Sequence, residues 1–103
     1  AFVLNKSGPG VNLAASVKEN KTGRLLEIYT DQPSLQIYNA WLFDGADLGK
    51  NNQRYYPSSG FALEAQACPD APNHAAFPSI ALDPGEVYQQ ETIYRFSIVV
   101  NIS

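Results

Sequence analysis

Phe61-Ala62-Leu63-Glu64-Ala65-Gln66-Ala67-Cys68 is the stretch on which the reading of this sequence turns. Successive side chains of a β-strand point to opposite faces, so strict alternation is a strand signature. Here Phe61, Leu63, Ala65 and Ala67 fall on one face, while Glu64 and Gln66 share the other with the small Ala62. The stretch has turn-rich sequence on either side. Asp44 to Ser59 carries Asp44-Gly45, Gly49 and Asn51-Asn52, and ends in Pro57-Ser58-Ser59 with Gly60 next. Pro69 to Pro78 holds three prolines. Both read as irregular loops, the first a long surface loop of the kind that borders binding sites.

The same period of two recurs outward in both directions. Upstream, Val11 to Lys18 places Val11, Leu13, Ala15 and Val17 on one side and Asn12, Ser16 and Lys18 on the other. Arg24 to Thr30 sets Leu26 and Ile28 against Glu27 and Tyr29, and Asn20-Lys21-Thr22-Gly23 between the two runs suits a hairpin. Leu35 to Ala40 forms a short strand after Pro33. Downstream, Asp83-Pro84-Gly85-Glu86 predicts a tight turn, and Glu91 to Ile102 a long closing strand. Its even positions, Thr92, Tyr94, Phe96, Ile98, Val100 and Ile102, make a nearly continuous apolar face. No segment sustains a helical period. The expected fold is all-β, an antiparallel β-sandwich of six or seven strands with two long loops.

Composition narrows the partners. The 103 residues are 45% hydrophobic and 17% charged, a globular balance large enough for at most one domain. Seven basic residues are scattered against ten acidic ones, for a net charge of -3, with no stripe to follow phosphates. Nucleic acid is therefore not an expected partner. No apolar run approaches the ~18 residues that span a bilayer, so no membrane partner is expected either. Cys68 is the single cysteine, which excludes an internal disulfide and a cysteine-based zinc site. No metal site or cofactor is called for. Three sequons, at Asn5, Asn20 and Asn101, are candidate N-glycosylation sites. They favour a secreted setting, with the cytoplasm as the alternative.

Glu64, on a rigid strand between two loops, is placed as a general base would be. The commoner explanation of such a residue is a solvated strand face. Gln36 and Tyr38 share a face of their own strand, a pairing suited to sugar hydroxyls and the apolar side of a sugar ring, though a surface amide beside a core tyrosine explains them equally. His74 reads as an exposed loop side chain with nothing to pair it to Glu64, and Trp41 and Phe43 read as core.

Five segments in order then resemble the C-terminal signature of the aldose 1-epimerase (galactose mutarotase) family. Gly23-Arg24-Leu25-Leu26-Glu27-Ile28-Tyr29-Thr30 resembles its G-R-x-L-E-V-x-T strand, and Gln32-Pro33-Ser34-Leu35-Gln36-Ile37-Tyr38 its Q-P-G-V-Q-F-Y. Gly60-Phe61-Ala62-Leu63-Glu64-Ala65-Gln66 follows G-F-x-L-E-x-Q. Pro69-Asp70-Ala71-Pro72-Asn73 with Phe77-Pro78 follows P-D-x-x-N and F-P. Leu82-Asp83-Pro84-Gly85-Glu86-Val87-Tyr88 follows L-x-P-G-E-x-Y. Ser34 and Ala40 stand where the pattern usually has glycine.

The resemblance implies that residues 1–103 are the C-terminal portion of an aldose 1-epimerase domain, part of a galactose mutarotase-like supersandwich. It implies an enzyme that interconverts α and β anomers of free hexoses such as galactose and glucose. Glu64 then matches the family's catalytic base and Gln36 its glutamine that contacts sugar hydroxyls. The family's two site histidines belong upstream of this region, so an N-terminal portion is an expected partner and this chain alone is expected to be inactive. The alternative reading is a non-catalytic carbohydrate-binding module on the same sandwich. A hexose-phosphate epimerase would need an arginine cluster for its phosphate, which these residues do not display.

Overall fold

The computed structural model describes residues 1–100. Its regular elements are six strands and two single-turn 3₁₀ helices, with no α-helix among the described residues. The strands are β1 (Phe2–Val3), β2 (Asn12–Lys18), β3 (Arg24–Thr30), β4 (Ser34–Tyr38), β5 (Ala62–Gln66) and β6 (Thr92–Ile98). They form two three-stranded antiparallel sheets, ordered β1-β4-β5 and β2-β3-β6, in keeping with the expected all-β sandwich class.

The β2–β3 hairpin forms where the sequence places it. Glu19 closes it, accepting from the Lys21 and Thr22 amides at 2.9 and 2.7 Å and from the Thr22 hydroxyl. Gly23 sits at φ +75°, and a Cβ there would come within 2.3 Å of the Val99 carbonyl oxygen. Only glycine satisfies both the left-handed backbone and that close approach.

The face assignment of β2 needs correction. Leu13 pairs with Tyr29 and Ala15 with Ile28, so a bulge at Ala14 slips the register by one. An extra residue inverts the alternation on one side of a bulge. Ala15 and Val17 therefore lie with Ile28 and Leu26, whereas Leu13 lies with Tyr29 on the opposite face and is 52% exposed. Two further differences concern extent. The two-residue β1, which alternation could not reveal, adds to β4 through Phe2–Leu35 and Val3–Ser34. The closing strand runs over Thr92–Ile98, shorter than Glu91 to Ile102; Ile102 lies outside the described residues.

The buried centre sits where β3 runs into β4. Ile28, Thr30, Ser34 and Leu35 are at most 3% exposed there. The polar members are satisfied internally: the Ser34 hydroxyl lies 2.9 and 3.2 Å from the Gln66 and Ala67 carbonyls, and Thr30 Oγ1 lies 3.0 Å from Thr92 Oγ1. Burying these hydroxyls unpaired would be costly, so Ser34 is tied to the end of β5 and Thr30 to Thr92 of β6, each within its own sheet.

Around that centre much apolar surface is open. The chain exposes 8084 Å², where a compact monomer of its mass exposes about 5,700 Å². Its radius of gyration is 17.4 Å, against about 13 Å for a compact domain of this length. On β6, Phe96 and Ile98 are 75% and 68% exposed. With Val17, Leu26 and Phe61 they line an open trough of 690 Å³. Trp41 is exposed rather than core, and borders a hollow with Phe2, Ile37 and Tyr38. Phe43 is half-buried, edge-on to Tyr55 at 5.9 Å. The loop carrying them is more ordered than its sequence suggests, since Leu48 and Arg54 pair as a bridge across the Lys50–Asn52 turn.

Candidate active site on the β4–β5 ladder

β4 and β5 pair antiparallel with Ser34 opposite Gln66, Gln36 opposite Glu64, and Tyr38 opposite Ala62. Directly opposed residues of an antiparallel pair project to the same face, with Cβ atoms about 5 Å apart. One face of the sheet therefore carries Gln36, Tyr38, Glu64 and Gln66. The other carries Phe2, Leu35, Ile37, Leu63 and Ala65, as the alternation of β5 requires. The two candidate residues, 28 positions apart in sequence, become immediate neighbours because β4 and β5 pair in this register and no other.

Glu64 is exposed and Gln36 half-buried. The Gln36 amide nitrogen lies 3.4 Å from the Ile37 carbonyl, a weak tether that leaves its oxygen available. A carboxylate beside an amide can accept a proton from one hydroxyl while the amide bridges another. Next along the ladder, Tyr38 and Ala62 open into a hollow of 310 Å³ whose wall is largely aromatic: Phe43, Tyr55 and Phe61. On its other side Glu64 borders a second hollow of 310 Å³, with Leu63, Ala65, Gln90, Thr92 and Tyr94. Tyr94 had no signal in the sequence beyond strand alternation, and Gln90 had none; only the approach of β6 to β5 reveals them.

His74 is placed apart from this pair. Its Nε2 lies 3.0 Å from Asp70 Oδ2, both side chains are more than half exposed, and its ring packs 5.2 Å from Phe77. Asp70 also accepts from the Asn73 side chain, at φ +60°. His74 thus fastens the Pro-rich loop. Asn5 and Asn20 are exposed, the latter in the β2–β3 turn; Asn101 lies outside the described residues. Among the described residues no three His, Cys, Asp or Glu side chains converge as a metal site.

The fold and the ladder define an all-β protein with a carboxylate–amide pair on the polar face of an antiparallel sheet. A family model described as aldose 1-epimerase matches residues 1–95. The chain is 44% identical over 87 residues to galactose mutarotase of Homo sapiens, covering 84% of this chain and 25% of that protein. It is 45% identical over 84 residues to galactose mutarotase of Rattus norvegicus, 82% of this chain and 25% of that protein. Against aldose 1-epimerase of Escherichia coli K12 it is 37% identical over 98 residues, 93% of this chain and 28% of that protein. The chain belongs to the aldose 1-epimerase family, and it spans about a quarter of the length of these relatives.

Proposed function

We propose that the protein containing this chain is a mutarotase that interconverts the α and β anomers of free hexoses such as galactose and glucose. The observation that carries the reading is the opposition of Gln36 and Glu64 on one polar sheet face. In this reading Glu64 takes the proton from the C1 hydroxyl. As the C1 oxygen forms the aldehyde, the bond from C1 to the ring oxygen breaks, and the ring oxygen receives a proton from an acid. Rotation about C1–C2 and the reverse steps close the ring on the other face. Gln36 holds a neighbouring hydroxyl, so that the anomeric carbon stays over Glu64 during the rotation.

The acid is a histidine from the N-terminal portion of the domain, which also covers the trough of Val17, Leu26, Phe61, Phe96 and Ile98. The excess exposed surface and the quarter-length match to the relatives both support that partner. This chain alone lacks the acid and is inactive. The sequons at Asn5 and Asn20, both exposed, support a secreted glycoprotein; a mass unchanged by glycosidase treatment of the native protein would count against it.

The test is polarimetry on the whole protein with α-galactose. Glu64→Gln should lower kcat by roughly 10²–10⁴, the span of general-base contributions. An unchanged rate would remove Glu64 from the chemistry. Sugar binding without any mutarotation would favour a non-catalytic carbohydrate-binding module.

A further inference from the structure

Among the described residues β5 is an edge strand, so alternate carbonyls face away from β4. Two of them are nevertheless taken. The Tyr94 hydroxyl donates to the Leu63 carbonyl at 3.1 Å, and the Gln90 side-chain amide donates to the Ala65 carbonyl at 3.0 Å. Leu63 and Ala65 are the residues immediately before and after Glu64. We propose that Tyr94 and Gln90 are positioning residues, holding the free edge of β5 at the two carbonyls that bracket Glu64.

Both donors come from a segment whose own place is fixed by β3. Tyr94 is opposite the fully buried Ile28, and Thr92 is opposite Thr30 with their hydroxyl oxygens 3.0 Å apart. Just before the strand, the Glu91 amide donates to the Asp31 carboxylate at 3.1 Å and the Asp31 amide to the Glu91 carbonyl at 3.2 Å. The clamp thereby carries the rigidity of the β2-β3-β6 sheet to a strand that, among the described residues, pairs with β4 alone. A base must sit within about 0.5 Å of its productive position, and a two-sided hold on its flanking peptides limits that drift. Gln90, Thr92 and Tyr94 also line the hollow beside Glu64, so the donors lie next to the group they hold.

The inference rests on Glu64 acting as the base, and the experiment separates the two claims. Tyr94→Phe removes one hydroxyl and keeps the ring; Gln90→Ala removes the second donor. In the whole protein each should lower kcat roughly tenfold with KM changed less than about twofold, since misplacement of a catalytic group acts mainly on the chemical step. In a Glu64→Gln background Tyr94→Phe should have no further effect on kcat. If Glu64→Gln abolishes turnover while Tyr94→Phe and Gln90→Ala leave kcat unchanged, the clamp is overturned and the base stands. If Tyr94→Phe multiplies with Glu64→Gln, the hydroxyl acts independently of Glu64 and the proposal is overturned. If Glu64→Gln itself leaves kcat unchanged, the reading of the base fails first and the positioning role with it.

Discussion

Gln36 and Glu64 are direct partners in the antiparallel ladder of β4 and β5, their side chains on one face of the sheet. A rung of a ladder is a stiff way to fix two groups, because hydrogen-bonded neighbours on both strands oppose any slip. The same arrangement makes the two residues separable by mutation. Gln36→Ala should weaken the hold on substrate while leaving Glu64 in place. It should lower kcat/KM by about 10- to 100-fold, the equivalent of a lost hydrogen bond or two at ~1–3 kcal/mol. Polarimetric progress curves on the whole protein over a range of galactose concentrations measure it. Equal kinetics for Gln36→Ala and the parent protein would take Gln36 out of the site.

The two positions where the resemblance puts glycine behave in opposite ways. Ala40 sits at φ +60° and is buried, a conformation that costs an alanine about 1 kcal/mol relative to glycine. Ala40→Gly should raise stability by up to ~1 kcal/mol, less whatever the greater freedom of the unfolded chain and the lost methyl offset. Ser34 is 1% exposed, and its hydroxyl serves the Gln66 and Ala67 carbonyls. Ser34→Gly should cost about 1–2 kcal/mol. Urea denaturation midpoints of the two variants should move apart; movement in the same direction would show that one of these local accounts is wrong.

Glu19 gives the β2–β3 turn a pH dependence. Its carboxyl is held below the ordinary carboxylate range by the Thr22 hydroxyl first, then by the Lys21 and Thr22 amides. A group whose folded pKa is depressed stabilises the fold fully above its unfolded value of 4.5 and loses that contribution as pH falls through the lower folded value. The protection factor of the Thr22 amide against hydrogen exchange, taken relative to its intrinsic rate at each pH, should therefore fall below pH 4.5 in the parent protein. In Glu19→Gln that fall should disappear. The same profile in both would exclude Glu19 as its source.

The open trough carries a prediction about what covers it. If the rest of the domain packs against Phe96, then Phe96→Asp in the whole protein places a charge in a buried apolar site and should cost more than about 3 kcal/mol. At a surface position away from such packing the change stays near 0.5 kcal/mol. Leu82, 54% exposed and outside the trough, provides the comparison through Leu82→Asp. Similar denaturation midpoints for the two would show that the trough faces solvent in the native protein.

The sequence by itself determined the strands and their faces wherever alternation was unbroken. Leu63 and Ala65 against Glu64 and Gln66, Leu26 and Ile28 against Glu27 and Tyr29, and the turns at Gly23 and Gly85 all stand as read. These are local properties: the pleat fixes which way a side chain points, and a positive φ selects glycine. The resemblance supplied the family and with it the interest in Gln36 and Glu64. Tertiary structure decided the rest. The slip at Ala14 turned Leu13 to the other face, because a bulge arises from pairing with β3 and leaves no mark in β2 alone. Trp41 proved exposed because its surroundings depend on how the loop closes, and composition does not record that. The Gln36–Glu64 rung and the clamp of Tyr94 and Gln90 on the β5 edge join residues about 25 to 31 positions apart. Pairing over such distances is chosen by the register of whole strands and the burial around Ile28, which no single stretch of sequence contains.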